Sequence, residues 1–443
     1  MRNFLILLAL FSACNSLYLP EQVHIALDWE DTGMRVSWSA DQPSYGSVVQ
    51  YTPVNSPNDT VTKFAYSNMG SWKTFLNMDV SKILQRHIHV CTALMSGLIP
   101  GGYYKYRVGS EMYGWSSHFA FRAKRNFTDD PLIRLLVYGD FGIGQQAEAT
   151  TERLIQETET YHYDAILHDG DMAYDFPSYD GSYGDRFMRQ IEPYASKIPY
   201  MTSQGNHEAD TATLHYLYRF NMPSKSKNLW YSFNLGKVHF LAYTSEPPFW
   251  NQTGLQKQQQ EFIDNDLSTY NRTEYPWLVV FGHRPLYCSA NWSTSGLEDW
   301  VPPVIRNNND CLQDAQVVRN TFEELWHKYK VDFVINAHVH AYERLASVYH
   351  NVSVPCEYED QNTCIGASEP VFVVTGTPGN QESYAPISPT PLPFSMAQDA
   401  GWGYSRLTVF NSTHLYWEQI RSVDQTISDW FWLIKSSKST AYN

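Results

Sequence analysis

Five short segments of the chain carry side chains that bind metals. They read Gly-Asp-Phe-Gly (Gly139 to Gly142), Gly-Asp-Met-Ala-Tyr (Gly170 to Tyr174), Gly-Asn-His-Glu (Gly205 to Glu208), Val-Phe-Gly-His (Val280 to His283) and Ala-His-Val-His (Ala337 to His340). Carboxylate and phenolate oxygens suit a hard trivalent ion such as ferric iron. Imidazole and amide suit zinc, ferrous iron or manganese. The set therefore reads as one inventory for two ions. Singly, each member has an ordinary structural reading: Asp140 or Asp171 as a turn residue or helix cap, Asn206 and His207 as loop, His283 as a strand-end histidine, Tyr174 as one of 31 tyrosines. Their order along a single stretch of chain is what makes them a site.

Most of these segments follow an apolar run, so they are expected at the C-terminal ends of buried strands, converging at one edge of a sheet. The pattern predicts strands at Ile133 to Tyr138, Ala165 to His168, Val238 to Thr244, Trp277 to Phe281, Asp332 to Asn336 and Val371 to Thr375. Helices are predicted between them at Gln146 to Glu159, Gln256 to Tyr270 and Gln313 to Tyr329. This alternation predicts a layered α/β domain over 131–435. Its closing strands are expected at Arg406 to Val409, His414 to Glu418 and Trp430 to Ile434. From 19 to 122 the rhythm is different. Met34, Val36 and Trp38 alternate with Arg35 and Ser37, and Pro/Gly turns separate short runs, which predicts a β-sandwich. The run from Leu98 to Val108 resembles the corner of fibronectin type III domains, where a tyrosine ties a loop to the last strands.

At 443 residues, 43% of them hydrophobic, the chain has room for two or three domains. A net charge of -14 argues against a nucleic-acid backbone as partner. Arg2, the apolar run Phe4 to Phe11 and the small or polar residues Ser12 to Ser16 read as a signal peptide over 1–16. That run is too short to span a bilayer, which takes about 20 apolar residues, and the end, Lys438 to Asn443, shows no retention or lipid-anchor signal. An exported soluble protein, secreted or lysosomal, is expected. Seven glycosylation sequons (Asn58, Asn126, Asn251, Asn271, Asn291, Asn351, Asn411) fit that route. Cys14 leaves with the signal. Of the other cysteines, Cys288 with Cys311 and Cys356 with Cys364 flank polar loops and are expected to pair, while Cys91 is expected as a buried thiol.

The five segments resemble the motif set of the purple acid phosphatases, binuclear metallophosphoesterases. Pro20 to Ile25 and the sandwich-plus-α/β layout resemble their large two-domain form, with a fibronectin III-like sandwich followed by a layered αββα domain. Tyr174, three residues after Asp171, separates this family from other metallophosphoesterases. The resemblance implies a ferric site of Asp140, Asp171, Tyr174 and His340. It also implies a divalent site of Asp171 as bridge with Asn206, His283 and His338, taking zinc, iron or manganese. The implied reaction is hydrolysis of a small phosphate monoester, with a metal-held hydroxide attacking phosphorus in line and the two ions about 3.5–4 Å apart. His207 would bind phosphate and protonate the leaving group, at an ordinary histidine pKa of about 6.5. Two departures stand out. The family has glycine where this chain has Ala337, which bears on how the loop turns toward both metals. The loop from Cys288 to Asp310 contains none of the histidines that plant members place there, which leaves Glu298 or water as other proton donors. The rival readings are a phosphodiesterase or nucleotide pyrophosphatase on the same centre, and a secreted binding protein with an inert phosphatase domain.

Overall fold

Two antiparallel sheets form the N-terminal sandwich of this computed structural model, which describes residues 19–77, 86–128, 130–209, 213–290 and 311–436. The expected signal segment 1–16, Asn291, Glu298 and the terminal residues 438–443 lie outside the described residues. One sheet orders its strands Glu21–Leu27, Met34–Ser39, His87–Met95 and Ser71–Leu76. The other is built on Val48–Val54 and Tyr103–Ser110. The alternation read at Met34, Val36 and Trp38 places all three in the core between them. Tyr104 supplies the tyrosine corner: its Oη accepts the Ile99 N–H at 2.9 Å, tying the loop before the strand back onto it.

The rest of the chain is a four-layer αββα arrangement. In the first sheet the parallel strands Ile133–Tyr138, Ala165–Asp169 and Tyr200–Ser203 adjoin the antiparallel strands Gly403–Val409, His414–Arg421 and Ile427–Ile434. In the second, Val238–Ala242, Trp277–Phe281, Phe333–Asn336 and Val371–Thr375 run parallel, with Tyr342–Tyr349 antiparallel beside them. The sheets meet face to face, with Phe333 at 5.3 Å from Trp417 and 5.8 Å from Phe431. Helix Gln145–Thr160 buries Leu154 against the first sheet. Helices Thr253–Thr269 and Cys311–Lys328 bury Ile263, Phe322 and Trp326 against the second. Parallel strands leave their carboxyl ends on one edge, and there lie the loops carrying Asp140, Asp171, Asn206, His283 and His338.

The sandwich packs against the helix that follows the second motif. Helix Ser182–Ala195 lies against strand Glu21–Leu27, where Gln22 N–H donates to Glu192 at 2.6 Å. Buried Arg219 reaches Asp185 at 2.8 Å and Gln22 Oε1 at 2.7 Å. Tyr106 Oη donates to the Ser196 carbonyl at 2.7 Å. These polar contacts are satisfied within the interface, so the segment after Tyr174 rests on a fixed support. The sulfurs of Cys288–Cys311 and Cys356–Cys364 are bonded, and Cys91 is a buried thiol.

Candidate metal centre

Both candidate groups of ligands assemble where the strand ends converge. Tyr174 Oη lies 3.0 Å from Asp140 Oδ1 and 3.0 Å from His340 Nε2, and that nitrogen is 3.5 Å from Asp140 Oδ1. Beside this cluster, His283 Nε2 lies 3.0 Å from Asp171 Oδ2 and 3.2 Å from Asn206 Oδ1. Potential ligand atoms of Asp171, His283 and His338 fall within 4.8 Å of one another. The two clusters abut, with His283 Nε2 at 4.0 Å from Asp140 Oδ1. All seven side chains expected as ligands are thus in one place. The aspartates, Tyr174 and the three histidines are buried, while Asn206 and His207 are partly exposed, so the centre opens to solvent on their side.

The backbone does unusual work to aim these groups. Asp140 (φ 61°), Asp171 (φ 52°), Tyr174 (φ 50°) and His338 (φ 68°) all adopt left-handed conformations. Such residues cost energy and persist where the surroundings over-determine them, as at functional sites. The turn that lets His338 and His340 point to different clusters lies at His338 itself, so Ala337 needs no glycine-like freedom. Glycine is required opposite it instead, since a Cβ on Gly139 would run into the Ala337 methyl. The His338 N–H donates to Asp140 Oδ2 at 2.7 Å and locks the turn.

Proton bookkeeping tests whether the pocket fits metal ions. His283 Nδ1 is 2.8 Å from the Asp169 carbonyl, and His340 Nδ1 is 2.8 Å from the Ser383 carbonyl. A carbonyl only accepts, so in each ring Nδ1 carries the hydrogen and neutral Nε2 presents a lone pair. The His283 lone pair then faces a carboxylate oxygen and an amide oxygen, both acceptors. Convergent acceptors need a cation among them. With protons alone, burial opposes a charge on His283, but Asp171 and Asp140 outweigh it and push its pKa up to about 10. The donor set therefore demands positive charge, and metal ions satisfy it. Burial lowers the His338 pKa, and Arg284, whose Nη1 sits 3.0 Å from His338 Nε2, lowers it further against the opposing pull of Asp314, which favours the neutral form a ligand needs.

Supporting residues fall into two sets. Glu208 accepts from the N–H groups of Asp171 (2.8 Å), Met172 (2.7 Å) and Gly205 (2.9 Å), stitching two ligand loops together. It sits inside the third motif, yet nothing in the sequence marks it as the brace. The His207 ring lies tilted 4.4 Å from the Tyr174 ring, its Nδ1 donates to the Asp175 carboxylate, and its Nε2 faces Glu382 at 3.6 Å. Burial opposes its charged form, but Asp171, Asp175 and Glu382 raise its pKa well above the ordinary histidine value. Asp175 and Glu382 escape the motif reading because Glu382 comes from a distant loop and Asp175 lies one residue past the end of the second motif. Of the residues flanking the ligands, Arg284 touches one. Arg344 instead pairs with Asp429 at 2.7 Å, and Glu343 accepts from Ser289 N–H at 2.7 Å.

Three family models match this chain: purple acid phosphatase N-terminal domain over 20–123, calcineurin-like phosphoesterase over 133–342, and iron/zinc purple acid phosphatase-like protein C over 369–430. Human acid phosphatase type 7 is 34% identical over 426 residues, covering 94% of this chain and 91% of the relative. A nucleotide pyrophosphatase/phosphodiesterase of Hordeum vulgare is 28% identical over 353 residues, covering 72% of this chain and 87% of the relative. Among solved structures, a purple acid phosphatase from seeds of yellow lupin (Lupinus luteus) superposes with a TM-score of 0.77 at 22% identity. That match covers 95% of this chain and 75% of the lupin chain, a likeness of fold.

Proposed function

Since the chain belongs to the purple acid phosphatase family and is an acid phosphatase, we propose that it hydrolyses phosphate monoesters at a centre of ferric iron and one divalent ion (zinc, iron or manganese). In this reading Asp140, Asp171, Tyr174 and His340 hold the ferric ion, while Asp171, Asn206, His283 and His338 hold the divalent one. The observation that carries it is the pair of abutting acceptor clusters, 4.0 Å apart between His283 and Asp140. When bound, the two ions supply Lewis acidity toward phosphoryl oxygens and lower the pKa of water that serves as nucleophile. The chain's own groups do the rest. Glu208 and the left-handed turns hold the ligand loops in register, so little reorganisation is needed on binding. His207 stands at the solvent side, where an ester oxygen leaves. Water adds its oxygen to phosphorus and gives up a proton to solvent, the ester P–O bond breaks, and the departing alkoxide takes the proton that His207 holds, which solvent then restores.

Export through the secretory pathway to an acidic lysosomal or extracellular site completes the proposal. Two disulfides favour an oxidising compartment, and no helix among the described residues is long and apolar enough to cross a membrane.

The test compares a simple aryl phosphate monoester with its bis-aryl diester and a nucleotide pyrophosphate, before and after metal removal. The monoester should give the highest kcat/KM, and chelation should abolish turnover of all three. Preference for the diester or the pyrophosphate would instead support a phosphodiesterase on the same centre, the reading favoured by the Hordeum vulgare relative. Full turnover without metal would sink both.

Colour gives a second test. Burial raises the Tyr174 pKa well above the tyrosine range, and Asp140, Asp171 and Glu382 raise it further. Only a strong Lewis acid can ionise this phenol, so a visible phenolate-to-iron charge-transfer band is expected in the oxidised holoprotein. Tyr174→Phe should bleach that band while keeping the fold. An unchanged visible spectrum would remove Tyr174 from the iron.

A further inference from the structure

The outer face of the first sheet carries a ladder of partly exposed rings. On strand Ile427–Ile434, Trp430 and Trp432 point outward while Phe431 and Leu433 are buried. On His414–Arg421, Tyr416 points outward while Leu415 and Trp417 are buried. Ring centroids follow one another at 6.2 Å (Trp430 to Tyr416), 4.8 Å (Tyr416 to Trp432) and 5.1 Å (Trp432 to Phe410). Trp430 is 40% exposed and Phe410 39%, so the ladder is open to solvent. Contiguous exposed apolar surface of this kind marks a contact site.

The ladder ends at Phe410, and the next residue is Asn411 of the sequon Asn411-Ser412-Thr413. The turn holds this asparagine in one orientation. Its Oδ1 accepts from Thr413 N–H (2.9 Å), Thr413 Oγ1 (2.9 Å) and His414 N–H (3.0 Å). Its carbonyl accepts from the indole of buried Trp277 at 2.9 Å. With Oδ1 bound to the loop, Nδ2, the atom that glycosylation modifies, is turned away from those donors, and the residue is exposed.

We propose that Asn411 carries an N-linked glycan whose core N-acetylglucosamine residues lie across Phe410, Trp432 and Tyr416. A pyranose has an apolar C–H face with slightly positive hydrogens, which complements the negative face of an aromatic ring. Its hydroxyl edge stays in water, so the glycan covers the ladder without presenting a new apolar surface. A glycan rooted at this edge would compete with a second copy of the chain for the ladder. The proposal rests on the secretory route above, because that is where glycans are attached.

The test uses the full chain secreted from a eukaryotic host. Glycopeptide mass spectrometry should find Asn411 occupied, and NMR should show its N-acetyl methyl signals shifted upfield by ring currents. Trp432→Thr should keep the occupancy and return those signals to their ordinary position. In case that variant does not fold, Asn411→Gln leaves the face intact and should increase binding of a hydrophobic dye, whereas Asn58→Gln should not. A bare Asn411 on protein glycosylated at any of the other six sequons would overturn the proposal and leave the route standing. A chain bearing no glycan at any sequon would overturn both. Unshifted methyl signals, or dye binding that Asn411→Gln does not change, would assign the ladder to another occupant and overturn the proposal.

Discussion

Asp171→Ala is expected to lose both metals and to reduce turnover by about 10³-fold or more, at least the loss seen when a single preorganised electrostatic group is removed. Asp171 is the one side chain assigned to both ions. One of its oxygens lies 3.0 Å from His283 Nε2, and the other accepts the His207 N–H at 3.0 Å. Replacing it removes a shared ligand, frees the backbone that carries His207, and takes away the nearest negative charge from His283. Burial and His283, followed by His207, act on the Asp171 carboxyl, and the cationic neighbours hold its pKa well below the carboxylate range. It is therefore ionised and ready to bind at any pH where the enzyme works. Asn206→Ala and His338→Ala should behave differently, weakening chiefly the divalent ion while the iron band persists. Metal content per chain together with the visible spectrum separates the two classes. Two metals per chain and near-normal turnover in Asp171→Ala would refute the bridging assignment.

Where the candidate ligands fall was legible in the sequence because most of them follow strand ends, and strand ends are written in apolar runs. Trp277 to Phe281 and Val371 to Thr375 are buried throughout and appear as strands with the expected bounds. A strand buried on both faces leaves little freedom in where the following ligand falls. Helix starts were less legible. The helix expected from Gln256 begins at Thr253, and the one expected from Gln313 begins at Cys311, because neither first turn carries the apolar spacing that marks the helix body. Strand Ser395–Asp399 was not anticipated at all; it pairs with Tyr342–Tyr349, and its residues are mostly half-buried, without the alternation that marks a strand.

The site shows the same division. The convergence of the candidate residues could be anticipated from their type and order, but the contacts that support them could not, because support is a matter of through-space contact. Glu208 braces Met172 and Asp171, 36 and 37 residues away in one loop, and Glu382 reaches His207 from another loop entirely. The glycine that the family resemblance implied at position 337 is not needed there. The structure puts the left-handed residue at His338 and the obligatory small residue at Gly139, a pairing that only the folded chain creates.

His207→Ala is expected to cost about 10²- to 10⁴-fold, the range of a general acid, on an alkyl phosphate, and far less on a nitrophenyl phosphate. An alkoxide needs a proton to leave, whereas nitrophenolate is stable without one. The environment sets the pH at which this proton is present. Burial disfavours the imidazolium, yet the neighbouring carboxylates Asp171, Asp175 and Glu382 raise the pKa well above the ordinary value of about 6.5 assumed from sequence. Metal ions bound to Asp171 would withdraw part of that attraction, leaving Asp175, in contact with Nδ1, and Glu382 as the main sources. A raised pKa means the donor is present below it and lost as pH climbs through it. His207 should therefore be protonated throughout the acidic range, and the alkaline limb of kcat for the alkyl ester should report its deprotonation. Asp175→Asn removes a negative charge and should move that limb to lower pH, with Glu382→Gln doing so less. Neither change should displace the limb for the nitrophenyl ester. Equal losses for both leaving groups in His207→Ala would reduce His207 to phosphate binding, and a limb unmoved by Asp175→Asn would assign the alkaline loss to another group.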